Sequence, residues 1–267
     1  MPLLTVDHAE LMRWITSLMW PFVRIGALLL AAPLFGARTV PVRVRVGLAL
    51  VLAYVVAYVV APTLPAEVAG VDPLSLPGAF VAAREALIGA VMGFLLQMVF
   101  GAMAMGGEIV ALSMGLAFAS VVDPERGASV PLVGQYFVVF ATLLFLAFDG
   151  HLALLVLLLD SFTLLPPSPD GFGAAGLWEV ATWGSEMFRA AVLVALPASA
   201  ALLVASVSMG MIARSAPQLN IFAVGFPLTL MLGLVLLALG LDALAPQLES
   251  ILETALLHAR DTLGAAR

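Results

Sequence analysis

The sequence predicts an all-α membrane protein with about six long, kinked hydrophobic helices and one short re-entrant segment. Of its 267 residues, 63% are hydrophobic and only 10% are charged, whereas soluble domains have about 45–50% apolar and about 25% charged residues. The apolar residues fall into long runs, and a run of about twenty residues crosses a bilayer as a helix. Both observations place the chain among the membrane proteins.

Seven apolar runs follow one another, at about 15–35, 46–61, 86–105, 109–122, 130–165, 186–213 and 219–245. The fourth is short, since only fourteen uncharged residues separate Glu108 from Asp123. The stretch Met105–Pro124 is therefore predicted to dip into the membrane rather than span it. The fifth run is too long for one straight span, and DGH at 149–151 is predicted to break it.

Charge in the connecting segments predicts the side of the membrane that each one faces. The segments 61–78 and 166–176 are rich in proline and glycine, carry carboxylates and contain no arginine, so both are predicted on the non-cytoplasmic side. The segment 35–47 carries three arginines and is predicted to be cytoplasmic. With six crossings, both termini are predicted outside.

Prolines and charges inside the apolar runs predict a large buried surface for assembly. Backbone groups freed by a proline must find partners in neighbouring helices, because lipid offers none. An ionisable residue in such a run normally faces a bundle interior or an interface. The residues concerned are Pro21, Pro33, Pro131, Pro197, Pro227, Arg24, Asp149 and Asp160. The segment 246–267 is predicted to be an amphipathic helix that docks on a partner or lies at an interface.

The composition also excludes several function classes. Lysine is absent and the net charge is −6, which leaves no basic surface for nucleic acid. Cysteine is absent, which excludes disulfides, thiol catalysis and Cys-ligated metals. The three histidines, His8, His151 and His258, are too scattered for a metal site, and no hydrolase or nucleotide-binding motif is present. We predict a protein that is not an enzyme and holds no cofactor.

The stretch FDGHLALLVLLLDSF, residues 148–162, comes closest to a polar site. On an unbroken helix Asp149 and Asp160 would share a face about 16 Å apart, too far for a shared proton. A proton relay is one interpretation. The one we favour is a polar bend at Asp149 and His151, with Asp160 as a cap or interface partner.

The stretch 84–107 predicts close helix packing. Every fourth residue aligns in one stripe, where small side chains let another helix approach. The stripe consists of Gly89, Gly93, Gln97, Gly101 and Met105. Five of the twelve methionines lie between positions 92 and 114. Flexible methionines beside glycines suit a compliant seal, and ordinary core packing is the alternative.

Three further polar features border these runs. Arg84 and Glu85 are expected to pair with polar groups near the membrane edge, where an exposed ion pair stabilises little. Glu108 is expected to cap a helix or neutralise a neighbour. The segment 213–230 predicts a broken helix pair, either a simple hairpin turn or a corner that faces a partner. Its breaking residues are Pro217, Asn220, Gly225 and Pro227.

Three stretches, taken together in their order and spacing, resemble the FliR/SpaR family, a component of the export gate of flagellar and related type III secretion systems. They are REALIGAVMGFLLQMVFGAMAMGGEIVALSMGLAFASVVDP (84–124), LLFLAFDGHLALLVLLLDSFTLLP (143–166) and APQLNIFAVGFPLTLMLGL (216–234). Asp149 departs from the family pattern, in which asparagine is expected in many members. The first eighty residues match mainly in pattern.

The resemblance implies a non-enzymatic subunit, one copy per gate, packed as helical hairpins in a hetero-oligomeric pore. The pore would lie in the bacterial inner membrane, at the flagellar basal body or an equivalent secretion apparatus. The implied partners are FliP-like and FliQ-like gate subunits, an FlhB-like switch protein, an FlhA-like export protein and unfolded secretion substrates. The chain would be one export-gate domain, 1–267, with a FliP-like part at about 1–180 and a FliQ-like hairpin at about 181–267.

The family also places a plug loop in the pore, at positions that match about Gly106 to Val122. The resemblance thereby implies a plug or gasket formed by Met103, Met105, Gly106, Gly107, Met114, Gly115 and Phe118. Helix packing and assembly are expected at Arg84, Glu85, Gly89, Gly93, Gln97, Gly101, Asp149, His151, Asp160, Pro217, Asn220, Gly225 and Pro227. The alternative is a secondary transporter that uses Asp149, Asp160 and Glu108 with broken helices. An intramembrane hydrolase lacks a nucleophile and base.

Overall fold

The computed structural model describes residues 8–37, 39–60, 71–116, 132–168, 170, 172–216 and 221–266. Within these ranges the regular secondary structure consists of eight helices. In chain order they are α1 (His8–Ala31), α2 (Val42–Val60), α3 (Leu76–Ser113), α4 (Leu132–Ala147), α5 (Gly150–Leu164), α6 (Ala174–Ser215), α7 (Ile221–Leu239) and α8 (Leu241–Ala265). The predicted all-α class is confirmed.

Three helices of the described part are long and apolar enough to cross a membrane on their own. They are α3, α6 and the Trp14–Ala31 part of α1. The pairs α4/α5 and α7/α8 each pass the same test as one broken span, which raises the number to five. The run at 46–61 forms α2, which is not among these candidates. The sidedness assigned from the arginines stays a prediction.

Helix α3 joins the apolar run 86–105 to the first part of the run 109–122. It continues without a break through Gly106 and Gly107 to Ser113, so the expected re-entrant segment begins as the last turns of a 38-residue helix. Glycine lowers helix stability when it is exposed. Here neighbouring helices approach these glycines closely, and the packing holds the helix together. The predicted segment beyond Leu116 lies outside the described residues.

The break predicted at DGH is present. Helix α4 ends at Ala147 and α5 begins at Gly150, and Asp149 between them has φ 54° and ψ 25°. Aspartate is one of the few residues with a side chain that tolerates this left-handed conformation. The prolines Pro21, Pro197 and Pro227 lie inside α1, α6 and α7.

The chain divides into two compact units. The first comprises Met1–Gln97, Asp149–Trp183 and Glu253–Arg267, and the second comprises Met98–Phe148 and Gly184–Leu252. In the first unit α1 packs against α2, and buried Trp20 of α1 packs against Val81 of α3. In the second unit the rings of Phe100 and Phe145 meet edge to face, with centroids 5.7 Å apart.

The amphipathic C-terminal helix docks on the chain itself. The imidazole of His258 in α8 stacks on the indole of Trp183 in α6, with ring centroids 4.4 Å apart. The ring atom Nε2 of His258 lies 3.2 Å from the carbonyl oxygen of Glu179. The apolar face of α8 includes the buried residues Leu252, Ala255, Ala259 and Leu263. The helical prediction is confirmed, and α8 contacts α6 of the same chain through His258.

Candidate functional site

The C-terminal half of α3 lies against two other helices of its unit, α4 and α6, at glycine positions. A Cβ atom added at Gly101 would lie 3.3 Å from Sδ of Met187 in α6, and one at Gly106 would lie 3.0 Å from Cγ1 of Val194. A Cβ atom at Gly107 would lie 2.7 Å from Cα of Gly134 in α4. The glycines are therefore positions of close helix packing in this structure.

Glycine also ends α3. Gly115 has φ 84°, its N–H donates to the carbonyl of Leu112 at 3.0 Å, and the N–H of Leu116 donates to the carbonyl of Ala111 at 3.1 Å. These two bonds form a Schellman motif, in which a left-handed glycine follows the last helical residues. The helix stops at a defined residue because only glycine takes this conformation without strain.

The methionines of this region differ in exposure. Met103 and Met114 are buried, at 0% and 1% exposed, whereas Met105 is half-buried and packs against an alanine cluster. That cluster consists of Ala102, Ala190 and Ala191. Two of the expected gasket methionines thus fill the interior of the chain. Phe118 lies outside the described residues.

Glu108 lies at the crossing of α3 and α4. Its side-chain oxygen Oε1 is buried and has no hydrogen-bond partner among the described residues. The same oxygen would lie 2.8 Å from a Cβ atom added at Gly134. The carboxylate therefore occupies the space that the missing side chain of Gly134 leaves, and its Oε1 makes no hydrogen bond to a described residue.

A buried ion pair forms the polar centre of the first unit. Arg24 of α1 donates to Glu85 of α3 through Nε at 2.7 Å and Nη2 at 2.8 Å. It also donates to Ser161 Oγ at 3.0 Å and to the carbonyl of Leu165 at 2.7 Å. Its guanidinium carbon lies 4.1 Å from the ring centroid of Phe162, within the range of a cation–π contact. One arginine thus binds α1, α3 and the end of α5 together.

Arg84 and Glu85 each find a polar partner, but both side chains are buried rather than exposed. Glu85 is fully buried and takes Arg24 as its close partner, whereas Nη1 of Arg84 lies 3.9 Å from the Glu85 carboxylate. Arg84 instead donates to the carbonyl of Pro166 at 2.7 Å. Adjacent residues on a helix point in different directions, so the two side chains serve different neighbours.

The residues of the predicted stripe along α3 do not all contact the same neighbouring helix. Gly89 and Gly93 lie against α1, where added Cβ atoms would overlap the backbone near Arg24 and Leu28. Gln97 is exposed. The small residues therefore let α1 approach the helix that carries Glu85, and this proximity brings the guanidinium of Arg24 within reach of the carboxylate.

The polar residues of 148–162 do not form one site. Asp149 is exposed at the bend, and Asp160 pairs with Arg260 of α8 at 3.3 Å. The Nδ1 atom of His151 is buried without a hydrogen-bond partner among the described residues. The favoured polar bend is confirmed at Asp149, and the proton-relay and transporter interpretations lose a carboxylate that each requires inside the bundle.

Helix α6 ends at Ser215 and α7 begins at Ile221, within the segment 213–230 where a break is predicted. Pro217 and Asn220 lie outside the described residues. Gly225 is buried, and Pro227 lies inside α7 with an exposed side chain. The helix pair is therefore broken as predicted.

The second unit also holds an apolar cavity of about 240 Å³, between α4, α6, α7 and α8. Its lining includes Phe137, Val194, Pro197, Leu236 and Gln247. Across the described ranges, no three His, Asp or Glu side chains come together as a metal site would require. The polar groups that the structure brings together are suited to holding the helices of the chain against one another.

Sequence reasoning missed the partners of the residues it singled out. No residue near Glu85 in the chain points to Arg24, and the run that contains Asp160 offers it no basic partner. Arg24 and Arg260, which pair with them, lie 61 and 100 positions away. Gly134 was missed too, although a glycine inside an apolar helix is a signal of close packing.

Long proline-containing apolar helices, joined by glycine contacts and a buried ion pair, define an all-α membrane protein. Residues 15–255 match the family model of bacterial export proteins, family 1. The chain belongs to this family, the FliR/SpaR family of bacterial export proteins.

Several relatives support this assignment. The chain is 37% identical over 249 residues to the flagellar biosynthetic protein FliR of Pectobacterium carotovorum subsp. carotovorum, with 93% of each chain covered. It is 36% identical over 249 residues to FliR of Escherichia coli (strain K12), again with 93% of each chain covered. FliR of Bacillus subtilis (strain 168) is 32% identical over 222 residues, which cover 81% of this chain and 82% of the relative.

Proposed function

We propose that this chain is the FliR-type subunit of a flagellar export gate in the bacterial inner membrane. It assembles with FliP-like and FliQ-like subunits around a pore for unfolded proteins, next to FlhB-like and FlhA-like components. The subunit is not an enzyme. The observation that carries the proposal is the family match over residues 15–255, together with relatives that are named flagellar biosynthetic proteins.

The surface of α6 supports assembly with other protein chains. Glu186 and Arg189 pair at 2.6 Å on this apolar helix, with side chains 38% and 62% exposed. Charged side chains in membrane helices seldom face lipid. Further along, the helix exposes Leu203, Val204, Val207, Met211 and Ile212. An apolar surface with a charged pair is the kind of surface that partner helices cover.

We propose that the chain contributes to the assembly through two parts, a FliP-like part at about 1–180 and a FliQ-like hairpin at about 181–267. In this proposal, helix α3 closes the pore. Its exposed and half-buried residues near the C-terminal end, Leu112, Met105 and Gly115, face the pore. The buried Met103 and Met114 support them from behind, and Gly106 and Gly107 hold the helix against its neighbours. The role of Phe118 stays a prediction.

Co-purification tests the assembly. The tagged full-length chain, expressed with candidate FliP-like and FliQ-like proteins, should purify as one complex whose intact mass exceeds the sum of one copy of each. The variant Arg189→Glu places two like charges side by side on the exposed face of α6, and it should weaken this complex. A chain that purifies alone in detergent, while its partners assemble without it, contradicts the proposal.

A point charge tests the pore. Deleting Gly106–Val122 would remove packed turns of α3, so Leu112→Asp is the sharper variant, since Leu112 is 61% exposed on the last turn. A carboxylate in a dry seal draws in water, and closed-state ion leakage should rise while the complex still purifies. Leu143→Asp on α4, where the leucine is 59% exposed, is the matched control. Equal leakage from both variants contradicts a pore position for Leu112.

A further inference from the structure

The C-terminal end of α3 rests on α7 through one side chain and one glycine. Met114 is 1% exposed, and a Cβ atom added at Gly233 would overlap Cγ of Met114 and lie 2.7 Å from its Sδ and Cε. Real Cβ atoms essentially never approach other heavy atoms this closely. The methionine side chain therefore occupies the space that any other residue at 233 would need.

A hydroxyl one turn before Gly233 adds a polar contact. Thr229 Oγ1 donates to the carbonyl of Met114 at 3.2 Å, and the carbonyl of Phe226 in its own helix lies 3.1 Å from the same hydroxyl. The last carbonyls of a helix have no partner within the helix, so Thr229 satisfies an acceptor that α3 leaves free. If the two helices separate, the hydroxyl keeps Phe226 as an acceptor.

The end of α3 is held in a defined position for this contact. The Schellman motif at Gly115 fixes where the helix stops, and Met114 is the residue directly before the left-handed glycine. Methionine is flexible and adapts to irregular gaps, so its side chain can leave and re-enter a glycine depression without a rigid fit.

We propose that Met114, Thr229 and Gly233 form a reversible latch that holds the end of α3 on α7 in the closed state of the gate. The side chain of Met114 packs into the depression at Gly233, and Thr229 is a positioning residue. The contact itself stands on the geometry, whereas its link to the closed state rests on the proposed function. Release breaks one apolar contact and transfers one hydroxyl donor to Phe226.

A single thiol tests the contact, because the chain contains no cysteine. In the assembled complex, Met114→Cys should react slowly with a maleimide, since this position is buried. Adding Gly233→Ala places a methyl group in the depression, and the thiol should react about tenfold faster once it is displaced and exposed. The control adds Gly210→Ala in α6, where a Cβ atom meets nothing within 4 Å, and it should leave the rate unchanged.

Fast labelling of Met114→Cys alone, or equal rates with Gly233→Ala and Gly210→Ala, overturns the latch. Either result leaves the proposed function in place, because co-purification of the complex tests that separately. Recovery of the complex with each variant shows that the chain has folded and assembled.

Ion leakage through the closed gate tests the role of the latch. Gly233→Ala should raise the leakage, and adding Met114→Ala should lower it again, because the shorter side chain leaves room for the new methyl group. Thr229→Val should raise it less than Gly233→Ala. If Gly233→Ala exposes the thiol but changes no leakage, the contact is established and its assignment to the closed state is refuted.

Discussion

The guanidinium of Arg24 and the carboxylate of Glu85 form two hydrogen bonds, at 2.7 and 2.8 Å, with both side chains fully buried. They come from α1 and α3, 61 positions apart. A buried charge without a partner costs several kcal/mol, whereas the pair replaced as a whole by apolar residues is often neutral. The pair therefore makes the burial of α1 and the burial of α3 depend on each other, because either charge alone would be costly to bury.

Glu85→Gln is expected to destabilise the full-length chain by about 3–5 kcal/mol, because it leaves the Arg24 guanidinium buried without a counter-charge. The double variant Arg24→Met with Glu85→Leu should recover most of this loss. Thermal unfolding in detergent and the amount of chain retained in membranes measure both effects. A double variant as unstable as Glu85→Gln contradicts the coupling.

Asp160→Asn is expected to have a small effect, below about 1 kcal/mol, since an exposed ion pair is weakened by water and salt. The carboxylate of Asp160 and the guanidinium of Arg260 are 35% and 59% exposed. The same unfolding measurement serves, with Glu85→Gln as the reference. If both substitutions destabilise the chain equally, burial does not set the strength of these pairs.

Gly107→Ala is expected to cost about 1–3 kcal/mol, because the new methyl group would push the backbones of α3 and α4 apart. It would meet the backbone of Val133 and Gly134 at 2.7 to 2.9 Å. Gly184→Ala in α6 is the matched control, since a Cβ atom there meets nothing within 4 Å. The control should be neutral or stabilising, because alanine has a higher helix propensity than glycine. Equal unfolding temperatures for the two variants would count against the close crossing.

Asp149→Asn and Asp149→Gly are expected to preserve stability, because both residues accept the left-handed conformation with φ 54°. Asp149→Val should cost at least about 1–2 kcal/mol, since a β-branched residue is strained there. Unfolding of the three variants side by side gives the comparison. If Asp149→Val unfolds like Asp149→Asn, the bend does not depend on this backbone conformation.

The sequence predicts the helices well because apolar runs, prolines and the DGH break are local features. The broken run at Asp149 and the helical C-terminal segment follow from residues close together in the chain. The length of α3, in contrast, does not follow from residues close together in the chain. Gly106, Gly107 and Glu108 each disfavour a continuous apolar helix locally, and packing against α4 and α6 outweighs that preference.

The polar pairs were less predictable because each joins helices that are distant in the sequence. Arg24 was expected to face protein, and it does, yet nothing near it in the chain points to Glu85 or Ser161. The same limit applies to Met114. Its position among glycines suggested a compliant seal, whereas its seat at Gly233 depends on a helix more than a hundred residues further along.

The separation of Arg24 from its partners constrains the order of events during synthesis. At about 5–20 residues per second, Glu85 leaves the ribosome about 3–12 seconds after Arg24, given their 61-residue separation. Ser161 follows Arg24 by 137 residues. A helix with an unpaired arginine at its centre enters lipid at a cost of about 2.5–3.5 kcal/mol. The nascent α1 therefore carries an arginine without its hydrogen-bond partners until α3 and α5 have been made.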